Sequence, residues 1–287
     1  MDGPILVPTD GSDPSSAALD HALDIAAGTD STVHVLYVAN TNEPSLVRLG
    51  EEVVDVLEDE GEEIVDRARA TAEERGVTVV DRIMQGEPKA AILEYADAHD
   101  VGLVVIGAHG RHGVREYLFG TTTEAVLASS EVPVLTVRTD ADKTCSYPYE
   151  RIVVPTDNSD YARAAAELAS TIAARNDATL HLLFVADELP ETIDPRSTGL
   201  SKDAEEDARE LLHDVASQLD HDDVVPAVEA GSVPHVICSY VKENDVDLIA
   251  MGTHGWSGFD RFLLGSFTER IIRRSPVPVL TTTVKED

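Results

Sequence analysis

Residues 4–14 read Pro4-Ile5-Leu6-Val7-Pro8-Thr9-Asp10-Gly11-Ser12-Asp13-Pro14. Ile5 to Pro8 is apolar and strand-sized, and it ends in turn chemistry. Ser12-Asp13-Pro14 then supplies a helix start, with Pro in the first turn, ahead of an alanine-rich stretch from Ala17 to Ala27. The same words return 147 positions later as Arg151-Ile152-Val153-Val154-Pro155-Thr156-Asp157.

Working outward, the repetition continues. Thr32-Val33-His34-Val35-Leu36-Tyr37-Val38-Ala39 is restated by Thr179-Leu180-His181-Leu182-Leu183-Phe184-Val185-Ala186 at the same offset. Asp100-Val101-Gly102-Leu103 is answered by Asp245-Val246-Asp247-Leu248, and Val132-Pro133-Val134-Leu135-Thr136 by Val277-Pro278-Val279-Leu280-Thr281, both at an offset of 145. The change of offset falls in the variable middle of each copy. A copy of about 140 residues is a whole domain and not a solenoid repeat. The chain therefore reads as a tandem duplication: domain one over 1–140, a linker over 141–149 inside the polar join from Thr139 to Glu150, and domain two over 150–287.

Each copy alternates short β-branched runs with helical patterns. In the first, strands are expected at Ile5 to Pro8, Val33 to Val38, Val77 to Met84, Leu103 to Ile106 and Val132 to Val137. Besides the first helix, helices are expected at Pro88 to Ala98 and Thr121 to Ser130. A further helix is expected from an apolar stripe of Val53, Val54, Leu57, Ile64, Val65 and Ala68, with Glu51, Glu52, Asp55, Glu58, Asp59, Glu62 and Glu63 as its solvated face. Strands alternating with helices mean parallel pairing through right-handed crossovers. The fold class is α/β: two tandem, doubly wound, five-stranded parallel-sheet domains of Rossmann-like type. Ligands bind such sheets at the carboxyl ends of the strands, where strand order reverses.

Composition narrows the partners. The 287 residues are 43% hydrophobic and 26% charged, enough apolar material for real cores. Apolar runs such as Leu103-Val104-Val105-Ile106 fall far short of the roughly 20 residues that cross a bilayer. Met1-Asp2-Gly3-Pro4 has no basic region before an apolar run, so no signal peptide is expected, and a cytoplasmic location follows. Fifty-four acidic residues against 22 basic ones leave a net charge of −32, spread along the chain. Such a field repels phosphate backbones and anionic lipid, so neither nucleic acid nor membrane is expected as a partner. Abundant Asp and Glu with only five Lys resembles the usage of proteins from a salty cytoplasm, where screening relieves self-repulsion. Two cysteines, Cys145 and Cys238, make neither a disulfide framework nor a metal cluster.

After the fourth strand the first copy reads Gly107-Ala108-His109-Gly110, nine residues, then Gly120-Thr121; the second reads Gly252-Thr253-His254-Gly255, nine residues, then Gly265-Ser266. Glycines let backbone N–H groups approach a phosphate closely, and a helix opening at Thr121 or Ser266 presents N–H groups and its positive dipole end to an anion. A structural alternative stands beside this. Thr121-Thr122-Thr123-Glu124 and Ser266-Phe267-Thr268-Glu269 are capping-box sequences, and the glycines suit tight turns. No Gly-Lys-[Ser/Thr] follows, so this is not a Walker A loop, and no Gly-x-Gly-x-x-Gly follows the first strand.

The G-x2-G-x9-G-[S/T] pattern, the Asp closing the first strand and the Pro-Val-Leu fifth strand resemble the universal stress protein family, in its ATP-binding branch, over essentially the whole chain. The resemblance implies the adenine nucleotide alpha hydrolase-like variant of the Rossmann-like fold. It also implies ATP or another adenine nucleotide, with Mg²⁺, across the first and fourth strands. It places Asp10 and Asp157 at the adenosine end, with Pro8-Thr9 and Pro155-Thr156 lining the turn. Val38 and Val185 would contact the adenine, and Ile106 and Met251 would support sugar and base. Gly107, His109, Gly110, Gly120, Thr121 and Thr122 would hold ribose and phosphates in the first copy. Gly252, His254, Gly255, Gly265, Ser266 and Phe267 would do so in the second. Thr122 and Phe267 depart from the small aliphatic residue usual at that place, and Phe267 is bulky. Arg111 stands where the second copy has Trp256. The family also implies pairing of the fifth strands within the chain, giving a pseudo-dimer able to dimerise again.

Other candidates are weaker. Asp10 and Asp157 also suit a turn in which each bonds its own backbone two residues on. His109 and His112 have metal-like spacing but no third ligand nearby. His34 and His181, within apolar strands, read as satisfied core residues. With no Lys in the loop, no Walker B partner and no general base, a nucleotide-responsive stress or signalling protein is favoured over fast catalysis. The alternatives are a slow ATPase or autophosphorylating enzyme, at Thr121, Thr122 or Ser266, and a nucleotide-free dimerising scaffold.

Overall fold

The computed structural model describes residues 3–41, 46–49, 52–109, 120–139, 147–186, 202–254 and 264–284. The chain divides into two compact units, Met1–Asp140 and Ala141–Asp287.

In the first unit β1 (Ile5–Thr9) leads through α1 (Asp13–Thr29) to β2 (Val33–Asn40). A hairpin of β3 (Leu46–Leu49) and β4 (Glu52–Asp55) precedes α2 (Val56–Glu74) and β5 (Val79–Gly86). Then come α3 (Pro88–Ala98), β6 (Leu103–Gly107), α4 (Thr121–Ser129) and β7 (Val134–Val137). The main sheet runs β7-β6-β1-β2-β5, with every neighbouring pair parallel. From β1 the chain steps outward to β2 and β5, then returns to β6 on the other side, so strand order reverses between β1 and β6. Right-handed crossovers put α1 and α2 on one face and α3 and α4 on the other.

The second unit repeats this with β8 (Arg151–Pro155), α5 (Asp160–Asn176), β9 (Thr179–Ala186), α6 (Lys202–Ser217) and β10 (Val224–Ala230). It closes with α7 (Val233–Glu243), β11 (Leu248–Gly252), α8 (Ser266–Ile272) and β12 (Val279–Thr282). Its parallel sheet runs β12-β11-β8-β9-β10, with the reversal between β8 and β11. The expected α/β, doubly wound, five-stranded architecture is present in both units.

Central strands are covered on both faces, which is why they are continuous apolar runs and not alternating ones. Every residue of β6 and of β11 is buried. The edge strands β5 and β10 are largely half-buried to exposed, and β10 carries Pro226, a residue tolerated in a sheet only where its missing donor is not needed. Helices α1 and α5 lie close to the sheet because their inner faces are alanine-rich: Ala18, Ala22 and Ala26 in α1, and Ala162, Ala165, Ala166, Ala169 and Ala173 in α5, are all buried. Both helices end on a left-handed aspartate, Asp30 (φ 54°) and Asp177 (φ 55°), whose N–H bonds the carbonyl of Ala26 or Ala173.

One expected element differs. Glu52, Val53, Val54 and Asp55 belong to strand β4 and not to the α2 stripe, which starts at Val56. Adjacent β-branched residues lose side-chain freedom in a helix and suit a strand, and here they meet Val47 and Arg48 across a hairpin. Ile64, Val65 and Ala68 do form the buried side of α2. Glu51 lies outside the described residues. No helix among the described residues is long and apolar enough to cross a membrane.

Candidate functional site

Two turns at the end of β1 shape the first wall. Gly11 N–H donates to Thr9 Oγ1 at 3.2 Å, and Ser12 N–H donates to Asp10 Oδ1 at 3.0 Å. Ser12 Oγ donates to the same carboxylate oxygen at 2.6 Å, while Ser12 is also the N-cap of α1. The carboxylate of Asp10 is thus fixed at the helix start by a serine that belongs to the helix. The second unit repeats the arrangement with Asn158 N–H to Thr156 Oγ1 at 3.2 Å, and Ser159 N–H and Oγ to Asp157 Oδ1 at 3.0 and 2.6 Å. Both aspartates therefore make the turn bond considered as their structural role.

The turn needs a left-handed residue at its apex. Gly11 supplies it at φ 74° in one copy, and Asn158 at φ 62° in the other. Asparagine tolerates this region better than other residues with a Cβ. Asn158→Ala should lower the stability of the second unit by about 1 kcal/mol, with Asn158→Gly tolerated. Thermal unfolding checks this, and an alanine variant as stable as the wild type would refute it.

The second wall is the glycine loop. Gly107 ends β6 directly beneath the first turn of α1, where a Cβ would lie 2.7 Å from Pro14 C and 2.8 Å from Pro14 O. Gly252 is equally enclosed, its Cβ position 2.6 Å from Tyr161 Cβ. The sheet end and helix start come this close because the β6 and β11 termini carry no side chain. Ala108 N–H bonds Val137 O and Gly120 N–H bonds Ala108 O, so the strand end and the helix entry are linked by backbone. His109 is half-buried, whereas His254 is buried, with Nδ1 3.1 Å from Thr253 Oγ1 and its ring 5.3 Å from that of Tyr161. Gly110 and Gly255, with Arg111, His112 and Trp256, lie outside the described residues.

The expected capping boxes are not formed. The N-cap positions fall on Gly120 and Gly265, and neither helix start has a side-chain cap bond. Thr121 and Ser266 are already helical, so their hydroxyls are out of position to cap. The hydroxyls of Thr123 and Thr268 instead donate across the loop to Gly107 O at 2.9 Å and Gly252 O at 3.1 Å. These two threonines were missed as site-building residues; their signal was the shared Gly-[Ser/Thr]-x-Thr-Glu spacing. The first helical bond of α4 is Glu124 N–H to Gly120 O, so the N–H groups of Thr121, Thr122 and Thr123 lie ahead of the helical ladder. A set of N–H groups ahead of the helical ladder at a helix start is chemically suited to an anion.

The remaining expected residues gather at the same end of the sheet. Pro8 is buried, with Leu36 beside it, and Pro155 pairs with Leu183. Half-buried Val38 and Val185 sit near the ends of β2 and β9, and buried Ile106 and Met251 sit one residue before the loop glycines. His34 and His181 lie at the opposite end, where Nδ1 meets Tyr95 Oη at 3.1 Å and Tyr240 Oη at 2.9 Å. Burial, together with neighbouring His99 and Arg82, lowers the pKa of His34; burial and Arg151 lower that of His181, partly opposed by Asp223. Each is held by a tyrosine at Nδ1 away from the loops, His34 half-buried and His181 buried with its Nε2 lacking a hydrogen-bond partner, so the expected satisfied core role holds for His181 only in part.

Comparison with known proteins bears on the family and the fold. A sequence profile of the universal stress protein family matches residues 1–138 and again 148–283. A universal stress protein of Methanocaldococcus jannaschii is 34% identical over 139 residues, which is 47% of this chain and 81% of that protein. Another, of Bacillus subtilis, is 32% identical over 144 residues, 47% of this chain and 97% of its own length. The crystal structure of a universal stress protein from Archaeoglobus fulgidus matches 98% of both chains, with a TM-score of 0.70 at 23% identity, a likeness of fold. With two copies of the profile, curated relatives that each cover about half the chain, and the same doubly wound sheet in both units, this chain belongs to the universal stress protein family as two tandem domains.

Proposed function

We propose that the chain is an adenine-nucleotide-binding stress protein in which occupancy by ATP sets conformation or partner choice, without rapid turnover. The observation that supports it best is the loop at the strand-order reversal. There, Gly107 lets the start of α1 pack against the strand end, and the N–H groups of Thr121, Thr122 and Thr123 stand ahead of the helical ladder. Asp10, fixed by Ser12, faces the adenosine end, with Pro8 and Thr9 lining the turn; Asp157, Pro155 and Thr156 are their equivalents. Val38 and Val185 meet the base, and Ile106 and Met251 support base and sugar. His109, Gly110, Thr121 and Thr122 reach ribose and phosphates, and Gly252, His254, Gly255, Gly265, Ser266 and Phe267 hold the same places in the second half. Mg²⁺, which commonly keeps water and phosphate oxygens as ligands, accompanies the phosphates. When bound, it neutralises phosphate charge.

The chain's own residues support binding over fast chemistry. Lysine is missing from both loops, and Asp10 and Asp157 each accept two hydrogen bonds at Oδ1 within their own turns, which supports a binding role for these carboxylates over phosphoryl transfer. The protein purified in molar KCl and then denatured should release ATP, between one and two molecules per chain, identified by chromatography. An empty protein that also fails to bind added ATP with Mg²⁺ would overturn the reading. Multiple-turnover hydrolysis abolished by Asp10→Ala would replace it with an enzyme.

A further inference from the structure

We infer that the two halves are unequal, the first taking the nucleoside triphosphate and the second discriminating against it, and that Phe267 sets the difference. The inference rests on the nucleotide reading above and adds which half holds the phosphate tail. Differences at equivalent positions point the same way. The second residue of α4 is Thr122, a half-buried hydroxyl; the second residue of α8 is Phe267, an aromatic ring left 43% exposed. A phosphate tail arrives charged and hydrated, and an apolar ring beside it removes water while offering no donor in exchange. The loop histidine differs as well. His254 is 9% exposed, shares a hydrogen bond with Thr253 Oγ1 and packs near the Tyr161 ring. In the first half Ala108 and Pro14 stand where Thr253 and Tyr161 do, and His109 is half-buried. His254 is therefore held by protein groups at the place where His109 has neither an equivalent hydroxyl nor an equivalent ring to hold it.

The test titrates the full-length, nucleotide-stripped chain with ATP and Mg²⁺ in molar KCl, by calorimetry. One tight site per chain is expected, with the second at least about tenfold weaker, the scale of one lost hydrogen bond to a charged group. Phe267→Thr should bring the second site within a few-fold of the first, and the reciprocal Thr122→Phe should remove the tight site. Both positions are solvent-accessible, so matched thermal unfolding of the variants separates a binding effect from misfolding, and Phe267→Ala provides a second variant. Two equal sites in the wild type, or Phe267→Thr and Phe267→Ala both leaving the stoichiometry at one, would overturn the inference alone. Failure of the wild type and Phe267→Thr alike to bind ATP would overturn the nucleotide reading and this inference with it.

Discussion

Gly107→Ala is expected to destabilise the first unit by about 1–3 kcal/mol and to abolish the nucleotide binding proposed for it. The reason is geometric. The new Cβ would sit 2.7 Å from Pro14 C, 2.8 Å from Pro14 O and 2.9 Å from Pro14 Cβ. Two of those atoms are backbone in the first turn of α1, so no side chain can rotate away. Relief requires α1 to lift from β6. That helix start is tied to the Asp10 turn through Ser12, so moving it also moves the carboxylate proposed to face adenosine. Gly252→Ala meets Tyr161 Cβ at 2.6 Å and Tyr161 C at 2.9 Å, and should act the same way on the second unit. Gly120→Ala provides the contrast. Its Cβ would find His109 Cα and Thr123 Oγ1 at 3.3 Å, an approach that a small shift absorbs, and an alanine N-cap costs about 0.5 kcal/mol. Urea unfolding of the three variants, with released nucleotide measured in parallel, checks the ordering. Equal stability of Gly107→Ala and Gly120→Ala would show that the helix–strand approach is softer than these distances indicate.

That contrast also shows what the sequence could and could not convey. Duplication made the architecture legible: strands buried on both faces produce unbroken runs such as Leu103 to Ile106, and each run occurred twice. Pro88 to Ala98 was readable to the residue because Pro marks its start. The four residues before α2 were misread because their spacing fits a helix stripe equally well, and only the cross-strand partners Val47 and Arg48 decide for a strand. Within the site, the glycines and aspartates were visible as a motif. The bond from Thr123 to Gly107 was not, since it joins residues sixteen apart through a fold that must first form. Nor did Tyr161 announce itself. It lies in a helix start far from the second loop in sequence, and becomes part of that loop's wall only because Gly252 lets α5 approach. Tertiary contacts of this kind carry the differences between the two halves.

Acid should destabilise the first unit through His21. This side chain is buried in α1 at 2% exposure, and burial lowers its pKa from 6.5 to about 4. The folded state therefore keeps His21 neutral while the unfolded chain accepts a proton first. Stability from this group is fully present above pH 6.5 and is lost as the pH falls from there toward 4. A shift of that size corresponds to about 3 kcal/mol across the window. His34, also lowered chiefly by burial, acts in the same direction on the first unit, and His181 does so on the second. The carboxylates of Asp20 and Asp24 flank His21 on the same helix but pair with Arg75 at the surface, at 2.6 and 2.9 Å, where such pairs contribute little. The second unit carries Leu168 at the equivalent position, so the fold itself supplies the test substitution. His21→Leu should flatten the decline of first-unit stability between pH 6.5 and 4 relative to the wild type, measured by urea unfolding at fixed molar salt. Fixed salt matters because the net charge of −32 also changes across this range, equally in both proteins apart from the one histidine. A variant whose pH profile runs parallel to the wild type would show that the buried imidazole is not what makes the first unit acid-sensitive.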